Sequence, residues 1–264
     1  MAETNTNVTS KQTERPDRPT RGLILAGHGS AKNPDTRKPI CACIQAMKAR
    51  GGFDQLHCAL WKEEPHFSIA LERMTADDIT VVPFFISEGY YTQQVIPREM
   101  GLDGRLTRLD DGRVVRLTAP VGLHDRFSEL IVRRAREAGA TGEETLVVLG
   151  HGTPRNPNSE KNVYAQAERV RAMQLFPEVV TCFLDQEPNM LQLWSMTERA
   201  SVVMVPLFIA DGWHVAETIP EELAEGGVST RADRSFLYSR AVGTDPGLIE
   251  VVQELVDEAA GWEE

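Results

Sequence analysis

Short apolar runs punctuate this chain, each stopped by glycine, proline or an acid and each followed by a stretch with helical spacing. The run 22–26 ends in Gly-His-Gly, passes an Asn33-Pro34 loop and leads into a predicted helix over 40–50. A second run, 55–61, meets Glu64-Pro65 and a predicted helix over 66–74. A third, 79–86, leads through a glycine-rich turn to Ile96-Pro97, and a fourth, 114–117, precedes Val121-Gly122 and a long helix. Runs this short, apolar without alternation, fit strands covered on both faces. Strands alternating with helices predict a parallel sheet between helical layers.

The whole pattern then returns, with strands predicted over 146–149, 179–184, 201–209 and 235–239 and helices over 163–175 and 190–197. Leu23-Ile-Leu-Ala-Gly-His28-Gly-Ser30 reappears as Leu146-Val-Val-Leu-Gly-His151-Gly-Thr153, 123 residues later. Glu64-Pro65 reappears as Glu187-Pro188 at the same offset. Val82-Pro-Phe-Phe-Ile-Ser-Glu-Gly-Tyr90-Tyr91 reappears as Val205-Pro-Leu-Phe-Ile-Ala-Asp-Gly-Trp213-His214. Self-similarity on this scale sets the architecture. The expected layout is a disordered tail (1–20) and two similar α/β domains, 21–140 and 141–264, a size ordinary for single domains.

Composition narrows the function. A net charge of −11 argues against nucleic acid and anionic membranes as partners. The tail has no apolar core of the signal-peptide kind, and no apolar run approaches the ~20 residues of a spanning helix. A cytoplasmic protein is expected. Four cysteines without framework spacing read as reduced thiols.

The repeat also places chemistry. His151, Glu187 and His214 follow the first, second and third strands of the second half, where the crevice of an open α/β sheet lies. Two imidazoles suit Co²⁺, Fe²⁺, Ni²⁺ or Zn²⁺, and a carboxylate can complete such a set or accept protons. Each residue alone also has a plainer role. Histidine fits a tight turn, and an acid before a helix-starting proline complements the helix dipole. In the first half the trio is His28, Glu64 and Tyr91, and a neutral phenol is a poor ligand for such metals. The complete set therefore belongs to the second half. Phosphoryl transfer is disfavoured, because glycine rather than arginine precedes each histidine and no Gly-Lys-Ser/Thr follows.

Gly-His-Gly-Ser/Thr, the acid-proline pair and the stretch Val205 to Pro220 together resemble the CbiX/SirB group of class II chelatases. The resemblance covers roughly 22–258 and implies two flavodoxin-like domains with one active cleft between them. It implies insertion of Co²⁺ or Fe²⁺, with Ni²⁺ also considered, into sirohydrochlorin or a related tetrapyrrole, in cobalamin or siroheme biosynthesis. The metal is then a substrate, and no separate cofactor is required. By the same resemblance His151 and His214 bind the metal and Glu187 assists proton removal. Tyr91 departs from the long bacterial members, which would carry the complete set in the first half; the C-terminal placement matches ferrochelatase-like relatives. A macrocycle rich in carboxylates calls for local cations, and the candidates are Arg37, Lys38 and Arg155, with His28 on the same cleft and Trp213 as a stacking surface. A monomer is expected, and a non-catalytic metal or tetrapyrrole carrier is the alternative function. Both halves are expected to be needed: residues 141–264 carry a full set of strands and helices that could fold and bind Co²⁺, but would hold the tetrapyrrole poorly without the other wall of the cleft.

Overall fold

The computed structural model describes residues 18–31, 33–153 and 157–263. The first half runs β1 (Arg21–Gly27), α1 (Lys38–Arg50), β2 (Gln55–Leu60), α2 (Phe67–Ala70), β3 (Asp78–Pro83), α3 (Ile96–Met100), β4 (Leu106–Arg108), β5 (Val114–Leu117) and α4 (Phe127–Glu137). The second runs β6 (Thr145–Gly150), α5 (Pro157–Ala172), β7 (Glu178–Phe183), α6 (Leu193–Met196), β8 (Ser201–Pro206), α7 (Ile219–Glu225), β9 (Ser235–Tyr238) and α8 (Leu248–Ala260).

Two sheets result, ordered β2-β1-β3-β5-β4 and β7-β6-β8-β9. All pairings are parallel except β4 with β5, where Leu106 faces Arg116. The antiparallel edge is absent from the sequence expectation, although Asp111-Gly112 between two short apolar stretches is a hairpin signal. In each sheet the first strand sits between the second and third, so the strand order reverses beside it. That switch point opens a crevice at the carboxyl ends of β1 and β3, and of β6 and β8.

Alternate residues of β1 face opposite sides, as the two-residue period of a strand requires. Leu23 and Leu25 join a central core that also holds Leu146 and Val148 of β6, while Ile24 and Ala26 face an outer core under α2 and α3. The central core is shared by both halves, and the closing helices are exchanged across it. Helix α4 packs on β8 of the second sheet, and α8 packs on β3 of the first. Arg126 of the α4 entry pairs with Glu254 of α8, and Arg50 of α1 pairs with Glu250. Arg133 Nε donates to Asp245, whose side chain is fully buried, at 2.9 Å. Residues 141–264 by themselves therefore lack the helix that covers β8.

Two predicted helices are shorter than expected, and that over 66–74 is reduced to α2, Phe67–Ala70. The 190–197 stretch splits into a 3-10 turn, Met190–Gln192, and α6. It stops because Thr197 is extended, its hydroxyl drawn to Glu178 and to Thr145. The glycine-rich turns after β3 and β8 instead wind into π-helical segments, Tyr91–Val95 and His214–Thr218. Each ends one residue short of a proline, which has no N–H for an ordinary ladder. Ile96 N donates to Tyr91 O and Ile219 N to His214 O, a five-residue step. Among the described residues no helix is long and apolar enough to cross a membrane.

Candidate functional site

Each half-site begins with the turn that ends its first strand. Gly150 brings β6 against α5 so closely that a Cβ there would stand 2.7 Å from Val163 Cγ2. Gly152 has φ +77°, a conformation that other residues enter at a cost. The turn is fastened to the end of the second strand, where Thr153 N donates to Gln186 Oε1 at 2.8 Å. In the first half Ser30 N donates to Glu63 Oε1 at 2.7 Å.

This fixes the tautomer of His151. Its Nδ1 lies 2.9 Å from Gly152 O and 3.3 Å from Asp185 Oδ2, both acceptors, so Nδ1 carries the proton. The Nε2 lone pair is left for a ligand, with acceptors on the opposite nitrogen holding the ring in place. His214 opens the π-helical segment after β8, and the two imidazole centroids are 5.5 Å apart at 79°. Both rings are exposed. Phe208 lies 5.9 Å from His151 and joins the outer core of the second sheet.

The loop carrying His214 is held from below. Asp211 accepts from Ala241 N at 2.7 Å and Arg240 Nε at 2.8 Å. The Tyr238 hydroxyl donates to Val215 O at 3.0 Å, and burial pushes its pKa up, so it stays a donor.

Other expected residues fall in different places. Glu187 is exposed, and its carboxylate accepts from Asn189 N at 3.0 Å and Gln192 Nε2 at 3.3 Å, at the entry of the short helical turn. That is the helix-entry role, and Glu187 does not join the two histidines. Among the described residues no three His, Cys, Asp or Glu side chains assemble a metal cage. Arg37 is paired with Glu63 at 3.1 Å and Lys38 with Asp35 at 2.8 Å, so neither is a free cation. Arg155 lies outside the described residues. Trp213 stands beside His214 and is 65 % exposed. The halves approach each other here: a Cβ on Gly212 would lie 3.8 Å from the Thr36 methyl, so the Arg37 loop borders the His214 loop.

In the first half His28 Nδ1 likewise lies 2.8 Å from Gly29 O. Its ring meets Tyr91 edge-on at 4.9 Å, where the second half has a histidine. Asp185 and Tyr238 escaped the sequence reading. Their signal lay in the differences between copies, since Asp185 stands where the first half has Lys62, and Tyr238 where it has Leu117.

A duplicated α/β protein with paired histidine turns at both switch points belongs to the class of two-domain chelatases. The CbiX profile matches the chain twice, over residues 22–138 and 145–259, and the chain belongs to that family. It is 37% identical to a probable sirohydrochlorin cobaltochelatase of Halobacterium salinarum, across 90% of this chain and 91% of that protein. A multi-domain Deinococcus radiodurans protein, described as structurally similar to chelatases, superposes with a TM-score of 0.81 at 28% identity. That match covers 94% of this chain, which spans 56% of the larger protein. SirB of Bacillus subtilis, solved with Fe³⁺, superposes with a TM-score of 0.75 at 21% identity over 92% of this chain and 96% of its own.

Proposed function

We propose that this chain is a sirohydrochlorin chelatase that inserts a divalent metal, Co²⁺ or Fe²⁺, into the tetrapyrrole as a cytoplasmic monomer, in cobalamin or siroheme biosynthesis. The observation that carries the reading is the pair of exposed imidazoles, His151 and His214, at the switch point of a CbiX-family half-site. Full-length identity of 37% to a probable cobaltochelatase supports the choice of substrate.

Insertion exchanges two pyrrole N–H protons for one M²⁺. Two imidazoles displace part of the metal's water while leaving positions open to the macrocycle. His151 is held by Asp185 and Gly152 O, and His214 by the π-helical segment beneath it, so the donors need little reorganisation as the metal passes to four ring nitrogens. Glu187 is the proton acceptor in this scheme. It is a carboxylate at the end of β7 that is not committed to the metal and is exposed enough to return protons to water. Trp213 offers a flat apolar face to the macrocycle. The metal is substrate and leaves with the product.

The test is a spectroscopic insertion assay of Co²⁺, Fe²⁺ and Ni²⁺ against sirohydrochlorin and protoporphyrin. Multiple turnovers with sirohydrochlorin and at least one of these metals are expected. Stoichiometric binding without turnover would instead make the chain a carrier.

A further inference from the structure

The two half-sites are built alike, and the places where they differ change their charge and their hydrogen-bonding chemistry. Lys62 N donates to His28 O at 2.9 Å, and Asp185 N donates to His151 O at 2.9 Å, so the two side chains leave equivalent points of the two histidine turns. In the second half that side chain is an acid against imidazole Nδ1. In the first it is an exposed lysine with no ion pair among the described residues, its ammonium 5.5 Å from the Trp61 ring centroid. Trp61 takes the place of Leu184 and also meets Tyr91, at 6.4 Å. Tyr91 is packed further by Phe85 at 6.0 Å and by Tyr90 at 5.6 Å, and Tyr90 is 56 % exposed at the position equivalent to Trp213.

Two of these substitutions act in one direction, and the opposing one, Glu63 in place of Gln186, is offset by its pair with Arg37. Exchanging Asp185 for Lys62 removes a negative charge and adds a positive one, which repels a divalent cation. Exchanging His214 for Tyr91 removes an imidazole lone pair and adds an O–H donor. What remains is a lysine ammonium, a phenol, the outward nitrogen of His28 and an aromatic wall. We propose that the first half-site is an anion subsite that takes a carboxylate arm of the macrocycle, with Lys62 its charged contact, while the second half-site handles the metal. The assignment rests on the chelatase reading for the identity of the ligand. Arg37 and Lys38, committed to Glu63 and Asp35, give way to Lys62 as the candidate cation of this half-site.

The experiment compares Lys62→Ala and Lys62→Asp with the unaltered chain, measuring KM for sirohydrochlorin and for Co²⁺ separately. Because Lys62 is exposed, its charge is partly screened, and Lys62→Ala should raise the sirohydrochlorin KM by about 3- to 10-fold. Lys62→Asp should raise it further, and neither change should move the Co²⁺ KM. Raising the salt should weaken sirohydrochlorin binding less in Lys62→Ala than in the unaltered chain. Cobalt titration by calorimetry of Lys62→Asp/Tyr91→His should give two ions per chain where the unaltered chain gives one. A sirohydrochlorin KM unchanged in Lys62→Asp, or a second-site variant still limited to one ion, would overturn the proposal. Lack of turnover in the unaltered chain would overturn the chelatase reading, leaving the calorimetric arm to judge the half-sites.

Discussion

Removing the first half tests how strongly the exchanged helices bind the molecule together. A chain cut to residues 141–264 keeps β6–β9 and α5–α8 but loses α4. Phe127, Leu130 and Ile131 of α4, each at most 2 % exposed, lie in the core that also contains Val203 and Val205 of β8. Fully burying a large apolar side chain contributes about 1.5–3 kcal/mol, so these three represent about 5–9 kcal/mol. In the same fragment α8 loses β3, turning Leu248, Val251, Val252 and Leu255 toward water. A native domain retains only about 5–15 kcal/mol of net stability, so the fragment should have no stable fold. Urea titration followed by far-UV circular dichroism is the assay. The fragment should lose signal gradually, or aggregate, where the intact chain shows one cooperative transition. A sharp transition in the fragment at the intact chain's midpoint would refute the reasoning and make each half a self-sufficient domain.

Further outcomes follow from the site and core. Glu187→Gln should lower turnover by about 10²- to 10⁴-fold, the usual range for a general acid–base group, with Co²⁺ affinity nearly unchanged. Asp185→Asn should instead weaken Co²⁺ binding about 10-fold or more, because it acts on His151; calorimetry beside insertion rates separates the two. Tyr238→Phe leaves Val215 O without its donor at a cost of about 1–3 kcal/mol. It should lower Co²⁺ affinity, whereas Leu117→Ala at the equivalent place should not. Burial holds the Cys43 and Cys182 thiols near a pKa of about 12, while Cys41 is exposed. Iodoacetamide at pH 8 should therefore label Cys41 first and reach Cys43 and Cys182 only after unfolding, as peptide mass spectrometry would record.

The architecture was legible because the repeat is carried by strands buried on both faces, whose apolar runs and closing glycines leave little freedom. Element ends were less legible wherever a tertiary contact decided them, as Thr197 does when its hydroxyl turns toward Glu178 and Thr145. The helix exchange left no local trace, since α4 and α8 carry the same apolar stripe whichever sheet they cover. At the site, His151 and His214 were legible as strand-end residues at equivalent positions of the repeat, His28 matching the first and Tyr91 standing in place of the second. Glu187 engages its own helical turn, a contact that an acid before a proline foreshadows. Asp185 and Lys62 each occur in one copy only and belong to no motif, so the shared residues of the repeat give no signal for them.

The central claim is that the second half-site holds the metal through His151 and His214. Cobalt binding measured by calorimetry and visible absorption on His214→Ala and Tyr91→Phe tests it most directly. His214→Ala should lose at least 10-fold in Co²⁺ affinity, together with the imidazole-cobalt absorption, while Tyr91→Phe keeps both. Loss of cobalt binding in Tyr91→Phe with binding intact in His214→Ala would contradict it and move the metal to the first half.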